Sequence, residues 1–487
     1  MNELEIKNKQ KDQSRHLYRI LCEGILVAVE TAIFVYIWLT FYNPNFRAPY
    51  IMRGNYFVAV IYMVLSLLFS SSYGGLRIGY YKTFSIVFSQ CVTAFITNVI
   101  IYIAVIIPAA TWYLTPVPAV VFMTVLDIAA ITVWGNIVNY IFHRLFPPQQ
   151  LLLISELGTD EFMAKFALRT DRYNVVKSII INRDRPGGNG RDKNGYRSRH
   201  RVESEDISRY FGECAKYDGV VIGDVPSGQR NDLLKYCYSK GIRTYTIPKI
   251  TDVILKSSET LHVFDTPIFL SRNKGLSFEQ EAVKRASDIV MSLTALILLS
   301  PVLLIVAVAI KLEDGGPVFY KQRRCTKNGV EFDILKFRSM IVDAEKSGIS
   351  VPATEKDPRI TKVGHIIRAA RIDELPQLIN ILKGEMSVVG PRPERIEHVR
   401  QYTKKIPEFA YRLTVKGGLT GYAQVYGKYN TMAYDKLKLD LMYIENYSFV
   451  LDLEIILRTI QVLFSKESTE GFDQAASAEI TKESEKK

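Results

Sequence analysis

The chain has 487 residues, of which 48% are hydrophobic, and carries 62 Lys and Arg against 50 Asp and Glu, a formal net charge of +12. That length allows roughly two or three domains. Five cysteines, at 22, 91, 214, 237 and 325, have neither disulfide nor metal spacing; they read as small buried hydrophobes in a reducing compartment, which excludes a disulfide-stapled or zinc-built fold.

Hydrophobicity concentrates at the start. Apolar runs over roughly 20–41, 55–73, 84–108 and 117–142 are long enough to span a bilayer. The first has no small-residue cleavage site and reads as an anchor, not a signal peptide. Lys7, Lys9, Lys11, Arg15 and Arg19 precede it, Arg77 and Lys82 lie in the second connection, and His143 and Arg144 follow the fourth run. The third connection is uncharged, and Arg47 and Arg53 weaken the pattern without reversing it. The bias predicts four spans with both ends cytoplasmic.

From 148 to 270, short β-branched runs (LLLIS at 151–155, VVKSIII at 175–181, GVVIG at 219–223, TYTI at 244–247) alternate with helical stretches such as DEFMAKFALR and GQRNDLLKYCYSKG. Alternation of this kind predicts a small parallel α/β domain. Its first strand-to-helix turn, ISELGTDEF, has Gly158 alone where a dinucleotide site needs several glycines. A Rossmann-like shape with a structural or regulatory role is therefore expected. The loop at 183–201 is glycine-rich and basic, either a solvated loop or a surface for anionic lipid.

A fifth apolar run, 289–310, has Ser300-Pro301 at its middle. Proline lacks the N–H for the carbonyl of Ile297, so a break is expected, with Ser300 placed to satisfy the freed carbonyl. Lys284 and Arg285 precede the run; Lys311, Lys321, Arg323 and Arg324 follow it. Basic residues on both flanks favour both ends on one membrane face, hence a re-entrant helix. Next comes RIDELPQLINILKGEMSVVGPRPE, 371–394. Leu375, Leu378, Ile379 and Leu382 fall on one helical face, predicting a helix that opens near Asp373 and closes at Gly384. On spacing alone, the adjacent acids and the stiff Gly-Pro-Arg-Pro bend are compatible with a plain N-cap followed by a turn.

The hairpin with its Ser-Pro break, KFRSM (336–340), DPRITKVGHIIR (357–368), DELPQLINILKGEMSVVGPRP (373–393) and GLTGYAQVYG (418–427) stand in that order. In this the chain resembles the monotopic polyprenyl-phosphate sugar-1-phosphate transferases, in their large form, over about 280–462. Two positions depart from the family pattern. Its Lys-Pro-Gly is here Lys416-Gly417-Gly418, and its glycine after QxR is Cys325.

The resemblance implies a phosphoglycosyl transferase that moves sugar-1-phosphate from a UDP-sugar to undecaprenyl phosphate, releases UMP and starts exopolysaccharide, capsule or O-antigen-type glycans. It implies Asp373 as nucleophile, Glu374 as ligand of Mg²⁺, and Lys336, Arg338, Arg359, Arg368 and Arg392 on substrate phosphates. Gln424 and Lys428 are weaker sugar or nucleotide contacts. The expected layout is a four-span helical bundle over 1–146 and a Rossmann-like cytosolic domain over 147–272. An α-rich catalytic module over 273–465 follows, with a re-entrant helix at 286–312 and the membrane break at Ser300 and Pro301, then a disordered tail over 466–487. The expected setting is the bacterial inner membrane, with membrane lipid, a homodimer and polysaccharide-assembly proteins as partners, and no nucleic acid. The alternatives are a glycosyltransferase that makes a sugar–lipid monophosphate with loss of UDP, a non-catalytic membrane scaffold and, weaker, a polytopic transporter.

Overall fold

The computed structural model describes residues 3–46, 48–72, 78–107, 117–156, 169–181, 201–202, 207–271, 275–342, 357–427 and 431–463. Gly158, most of the basic loop, Lys428 and the tail lie outside the described residues. The chain forms two compact units, Met1–Ile247 and Pro248–Lys487.

In the first unit, α1 (Glu3–Ile37), α2 (Arg53–Ser72), α3 (Thr83–Ile101) and α4 (Val117–Leu145) are each long and apolar enough to cross a membrane. Wider π turns, Trp38–Tyr42 and Tyr102–Ile106, extend α1 and α3. Apolar packing holds two levels of the bundle. Phe34, Trp38, Tyr62 and Ile101 form one, with the Phe34 and Tyr62 rings stacked at 4.3 Å; Cys22, Leu26, Ile86, Ile131 and Trp134 form the other.

A polar seam that hydropathy averaging conceals runs through the same helices. Ser70 Oγ lies 2.8 Å from Glu23 Oε1 and 2.9 Å from Gln90 Oε1. One hydroxyl carries one proton, so a protonated Glu23 or a rotated Gln90 amide must supply the other bond. Ser66 donates to Glu30; Tyr62 Oη donates to Asn98 Oδ1 at 2.9 Å, and Asn98 Nδ2 donates to Asp127 Oδ2 at 2.8 Å. Each bond joins two different helices, worth about 1 kcal/mol apiece in a bilayer.

The α/β part follows. Strands β1 (Gln149–Glu156), β2 (Tyr173–Ile181), β3 (Arg201–Val202), β4 (Gly219–Ile222) and β5 (Thr244–Thr246) form a parallel sheet in the order β3-β2-β1-β4-β5. Leu152 and Ile154 enter one core with Val220, Ile222 and Leu233 of α5 (Ser227–Ser239), while Leu151 and Leu153 enter another with Val221. Burial on both faces is why β1 and β4 read as unbroken apolar runs. β3, at the end of the basic loop, has too few residues to announce itself.

The second unit begins at Pro248, ahead of the boundary expected at 272/273, because Ile250 and Val253 of α6 (Ile250–Lys256) pack with Val389, Phe409, Leu437 and Leu441. A hairpin, β6 (Glu259–Val263) and β7 (Thr266–Leu270), stands exposed along both strands. Then comes α7 (Phe278–Asp314), capped by Ser277 and closed by left-handed Gly315. The expected helix–break–helix is here one helical element with Pro301 inside it. Ser300 Oγ donates to Ile297 O at 2.8 Å, serving the carbonyl that Pro301 cannot.

One face of α7 lies on the module on both sides of Pro301. Ala295 and Leu296 meet Phe332, Ile334, Leu378 and Ile381; Leu303, Val306 and Ile310 meet Phe337 and Ile367. The other face exposes Leu293, Ile297, Leu298, Leu304 and Ile305. Two of the expected flanking cations turn inward. Lys284, 6% exposed, pairs with buried Asp452 at 2.7 Å, and Arg285 donates to Ile381 O and Leu382 O at 2.6 and 2.7 Å. Neither is a head-group anchor, so the charge argument for a re-entrant helix rests on the residues after the run.

Candidate functional site

The site is assembled around the antiparallel hairpin β8 (Phe319–Cys325) and β9 (Glu331–Phe337). After it come α8 (Lys362–Ala369), α9 (Gln377–Lys383) and the parallel pair β10 (Ser387–Val389) and β11 (Gly418–Thr420). Helices α10 (Ile396–Lys405), α11 (Tyr422–Tyr426), α12 (Ala433–Glu445) and α13 (Phe449–Leu463) complete the module. Thr361 Oγ1 caps α8 by accepting from Gly364 N–H at 2.9 Å.

The acid pair is not on a helix N-terminus. Asp373 and Glu374 occupy a separate 3-10 turn, Ile372–Glu374, and α9 starts only after Pro376. Leu375 closes that turn and Pro376 is the N-cap of α9, so Asp373 lies ahead of the helix and not in its first turn. The buried face of α9 also differs from the expected one: Gln377, Leu378, Asn380 and Ile381 point inward. Asn380 explains the rotation. Its Oδ1 accepts from Leu335 N–H at 2.9 Å and its Nδ2 donates to Asp333 O at 2.9 Å, pairing α9 with β9. Gly384, at φ +86°, closes the helix as expected.

Arg371, just before the turn, adopts φ 53°, the left-handed region that a side chain rarely enters. That reversal carries the chain out of α8 and presents both acids. Strain of this kind costs about 1–3 kcal/mol and gathers at functional sites. Sequence reading took Arg371 only as the edge of a helix window and missed it.

The two acids are treated differently. Glu374 Oε1 accepts from Lys336 Nζ and from Arg392 Nη2, both at 2.9 Å. Burial opposes its charge, but Arg392 and Lys336 outweigh burial and hold the carboxyl well below the usual range. Asp373 carries no hydrogen bond or ion pair among the described residues. Burial and then neighbouring Glu374 push its carboxyl up, against Lys336, Arg368 and Arg371. One acid is clamped and held charged by two cations; the other has no such partner among the described residues, and its carboxyl is pushed up.

Of the five expected phosphate cations, Lys336 and Arg392 contact Glu374 and Arg368 acts on Asp373 through its charge. Arg338 is buried on Asp314 at the end of α7, and Arg359 is paired with Asp357 at 2.6 Å. Gln424, on α11, reaches Leu419 O at 3.5 Å, and no contact joins it to the acids. Among the described residues no three of His, Cys, Asp and Glu converge as metal ligands. Glu374 Oε2 has no protein partner among them, so Glu374 offers one free oxygen, a donor that fits Mg²⁺ when substrate phosphate oxygens complete the shell.

The bend after β10 is held almost atom by atom. Val389 O accepts from Tyr443 Oη at 3.2 Å, Pro391 O from Gly418 N–H at 3.0 Å and Arg392 O from Arg412 Nη2 at 2.9 Å. Pro393 O accepts from Arg324 Nη1 at 3.2 Å, and Glu394 O from Cys325 N–H at 3.2 Å. Upstream, Asp288 of α7 accepts from Ser387 Oγ and Val388 N–H at 3.0 and 2.9 Å. Glu394 is itself held down at about 2: burial opposes its charge, and Lys436 and Arg412 overcome it. Sequence reading took Arg324 only as a flanking cation and missed Arg412, which is far from the acids along the chain and carries no local pattern.

Residues 279–466 match the family model described as bacterial sugar transferase. The chain is 38% identical over 52% of its length to the UDP-N-acetylgalactosamine-undecaprenyl-phosphate N-acetylgalactosaminephosphotransferase of Aeromonas hydrophila, covering 60% of that protein. It is 41% identical over 41% of its length to the UDP-glucose:undecaprenyl-phosphate glucose-1-phosphate transferase of Escherichia coli (strain K12), covering 42% of it. To the exopolysaccharide production protein PSS of Rhizobium leguminosarum bv. phaseoli it is 43% identical over 37% of its length, covering 93% of that chain. Identity at this level across nearly the whole of a relative, on the stretch that builds the clamped acid and the pinned bend, places this chain in the bacterial sugar transferase family.

Proposed function

We propose that the chain transfers sugar-1-phosphate from a UDP-sugar to undecaprenyl phosphate through a covalent intermediate on Asp373. The observation that carries this is the asymmetry of the acid pair: Glu374 fixed by two cations beside an unpaired Asp373. The printed activities of the Aeromonas and E. coli relatives support the reaction class. In the first step an Asp373 oxygen attacks the phosphorus that bears the sugar, the bond to the bridging oxygen breaks, and UMP leaves with that electron pair. In the second, an oxygen of undecaprenyl phosphate attacks the same phosphorus and Asp373 is released as carboxylate. Lys336, Arg368 and Arg392 stabilise charge on the phosphoryl oxygens, and the pinned bend keeps Arg392 in place. Mg²⁺, held by Glu374, would neutralise diphosphate charge. The acceptor is already an anion, so no general base is required. Incubation of purified protein with undecaprenyl phosphate and UDP-sugars is expected to release UMP; release of UDP would establish the glycosyltransferase instead.

The same reading puts α1–α4 across the bilayer and makes α7 re-entrant. Support comes from the packing of both halves of α7, before and after Pro301, on one globular module. A helix that crossed would send one half away from it. Single cysteines at 282 and 330, in a cysteine-free background, should both resist a membrane-impermeant thiol reagent in intact cells. Labelling of 330 alone from outside would mean that α7 crosses.

A further inference from the structure

In the first unit, α1, the turn before β2 and the residue before β5 bring six cations together: Lys11, Arg15, Arg19, Arg169, Arg172 and Arg243. Three acids face them. Lys11 pairs with Asp218 at 3.2 Å, Arg169 with Asp171 at 3.0 Å, and Arg243 with Asp12. Among the described residues Arg15, Arg19 and Arg172 have no ion pair with a carboxylate. Arg15 is 8% exposed and its Nε, buried, has no partner.

The other two stack on one ring. The guanidinium of Arg172 lies 3.7 Å from the Tyr80 centroid and that of Arg19 lies 4.4 Å from it. Arg19 Nε donates to Ile78 O at 2.9 Å and Arg169 Nη1 to Tyr80 O at 2.7 Å, so the backbone on both sides of Gly79 is fixed. Gly79 sits at φ +76°, and a Cβ there would meet the Phe142 ring at 2.1 Å. The connection is thus built to set Tyr80 between two arginines. Burial works against ionisation of the Tyr80 phenol, but Arg19 and Arg172 more than offset it and lower it. Tyr80 is nevertheless exposed, and Arg19 and Arg172 on its two sides are half-buried, so the ring edge and part of each arginine face outward.

The surroundings say where that ligand comes from. Leu17, Ile20 and Leu21 beside Arg19, and Ile141 and Leu145 on α4, are exposed apolar side chains on helices long enough to cross a bilayer. We infer that Arg19, Arg172 and Tyr80 form a binding site for the phosphate of an anionic membrane lipid, whose acyl chains lie along the exposed face of α1 and α4. Two planar forks and a hydroxyl suit phosphate oxygens, and exposed apolar side chains on the same two long helices suit a lipid better than a free anion. The inference rests on α1 and α4 crossing the membrane and is independent of the transfer reaction.

The test uses the full chain in a zwitterionic detergent and reads thermal stability against added lipid. Phosphatidylglycerol is expected to raise the midpoint saturably in the parent, with phosphatidylcholine and inorganic phosphate at equal concentration giving no shift. Arg172→Gln should weaken the apparent affinity roughly tenfold, as expected for one lost charge-assisted contact. Arg19→Gln/Arg172→Gln should abolish the saturable shift, and Arg323→Gln, an exposed cation of the second unit, should retain it. Arg172 lies outside α1–α4, so its single variant tests the site even if the double variant misfolds. An Arg172→Gln titration that superimposes on the parent's would overturn the site. An equal shift with inorganic phosphate would overturn the lipid assignment. Both readouts are blind to sugar transfer, so failure here leaves the proposed reaction untouched, and the reverse.

Discussion

Asp373→Asn is expected to abolish turnover while leaving the protein as stable as the parent or slightly more so. Asn keeps the shape and removes the attacking charge, so no covalent intermediate forms. The stability half follows from linkage. Burial and Glu374 raise the Asp373 carboxyl, so the folded state binds this proton more tightly than the unfolded chain does. Stability from that group is present at low pH and is lost as pH rises through the folded value, and Asn removes the loss. The same shift predicts that activity falls with acidification at higher pH than an ordinary aspartate would dictate. Lys336→Met removes a cation that opposes the shift, so the acid limb of its pH–rate profile should move further up. UMP release across pH, with melting curves for both variants, measures all of this. More than a few per cent residual activity in Asp373→Asn would sink the covalent mechanism.

Arg412→Met should be the most damaging substitution away from the acids. Arg412 and Asp440 are both essentially buried and joined by Nε and Nη2 to Oδ2 at 2.8 Å, and Arg412 also holds the Arg392 carbonyl. Removing one partner leaves Asp440 as a buried, uncompensated charge, at a cost of about 3–5 kcal/mol. Arg412→Met/Asp440→Leu removes both charges and should recover most of the stability. Activity should stay low in the double variant, because Arg392 still lacks its anchor and Glu374 loses a well-placed partner. If activity returned with stability, the pair would be a packing element only, with no part in placing Arg392.

Much of this molecule was legible in its sequence, for identifiable reasons. β1 and β4 announce themselves because both their faces are buried, which leaves apolar runs, whereas β2 and β5 are only partly buried and show as short β-branched runs. The five long apolar helices are visible because length and composition alone define them. The acid pair and the Pro-Arg-Pro bend stood out as a local pattern. What failed were inferences that depend on partners remote in sequence. Leu375, Ile379 and Leu382 gave a sensible apolar face, yet Asn380 turned α9 the other way by satisfying β9. Lys284 and Arg285 looked like head-group anchors until Asp452 and the end of α9 claimed them. Arg338 and Arg359 belong to the expected motifs, and each is paired with an aspartate, Asp314 and Asp357.

The polar seam through α1–α4 also bears on how the chain is built. Glu23 and Glu30 both belong to α1, the first of the helices to be made, whereas their hydroxyl partners Ser66 and Ser70 lie on α2 and Gln90 on α3. A carboxyl near the middle of a lone membrane helix costs about 2.5–3.5 kcal/mol on insertion scales. On the reading that α1 crosses the bilayer, Glu30, at the middle of its apolar run, carries that cost until Ser66 of α2 meets it. On the same reading, stable insertion of α1 depends on α2, which supplies the hydroxyl partners of both carboxyls.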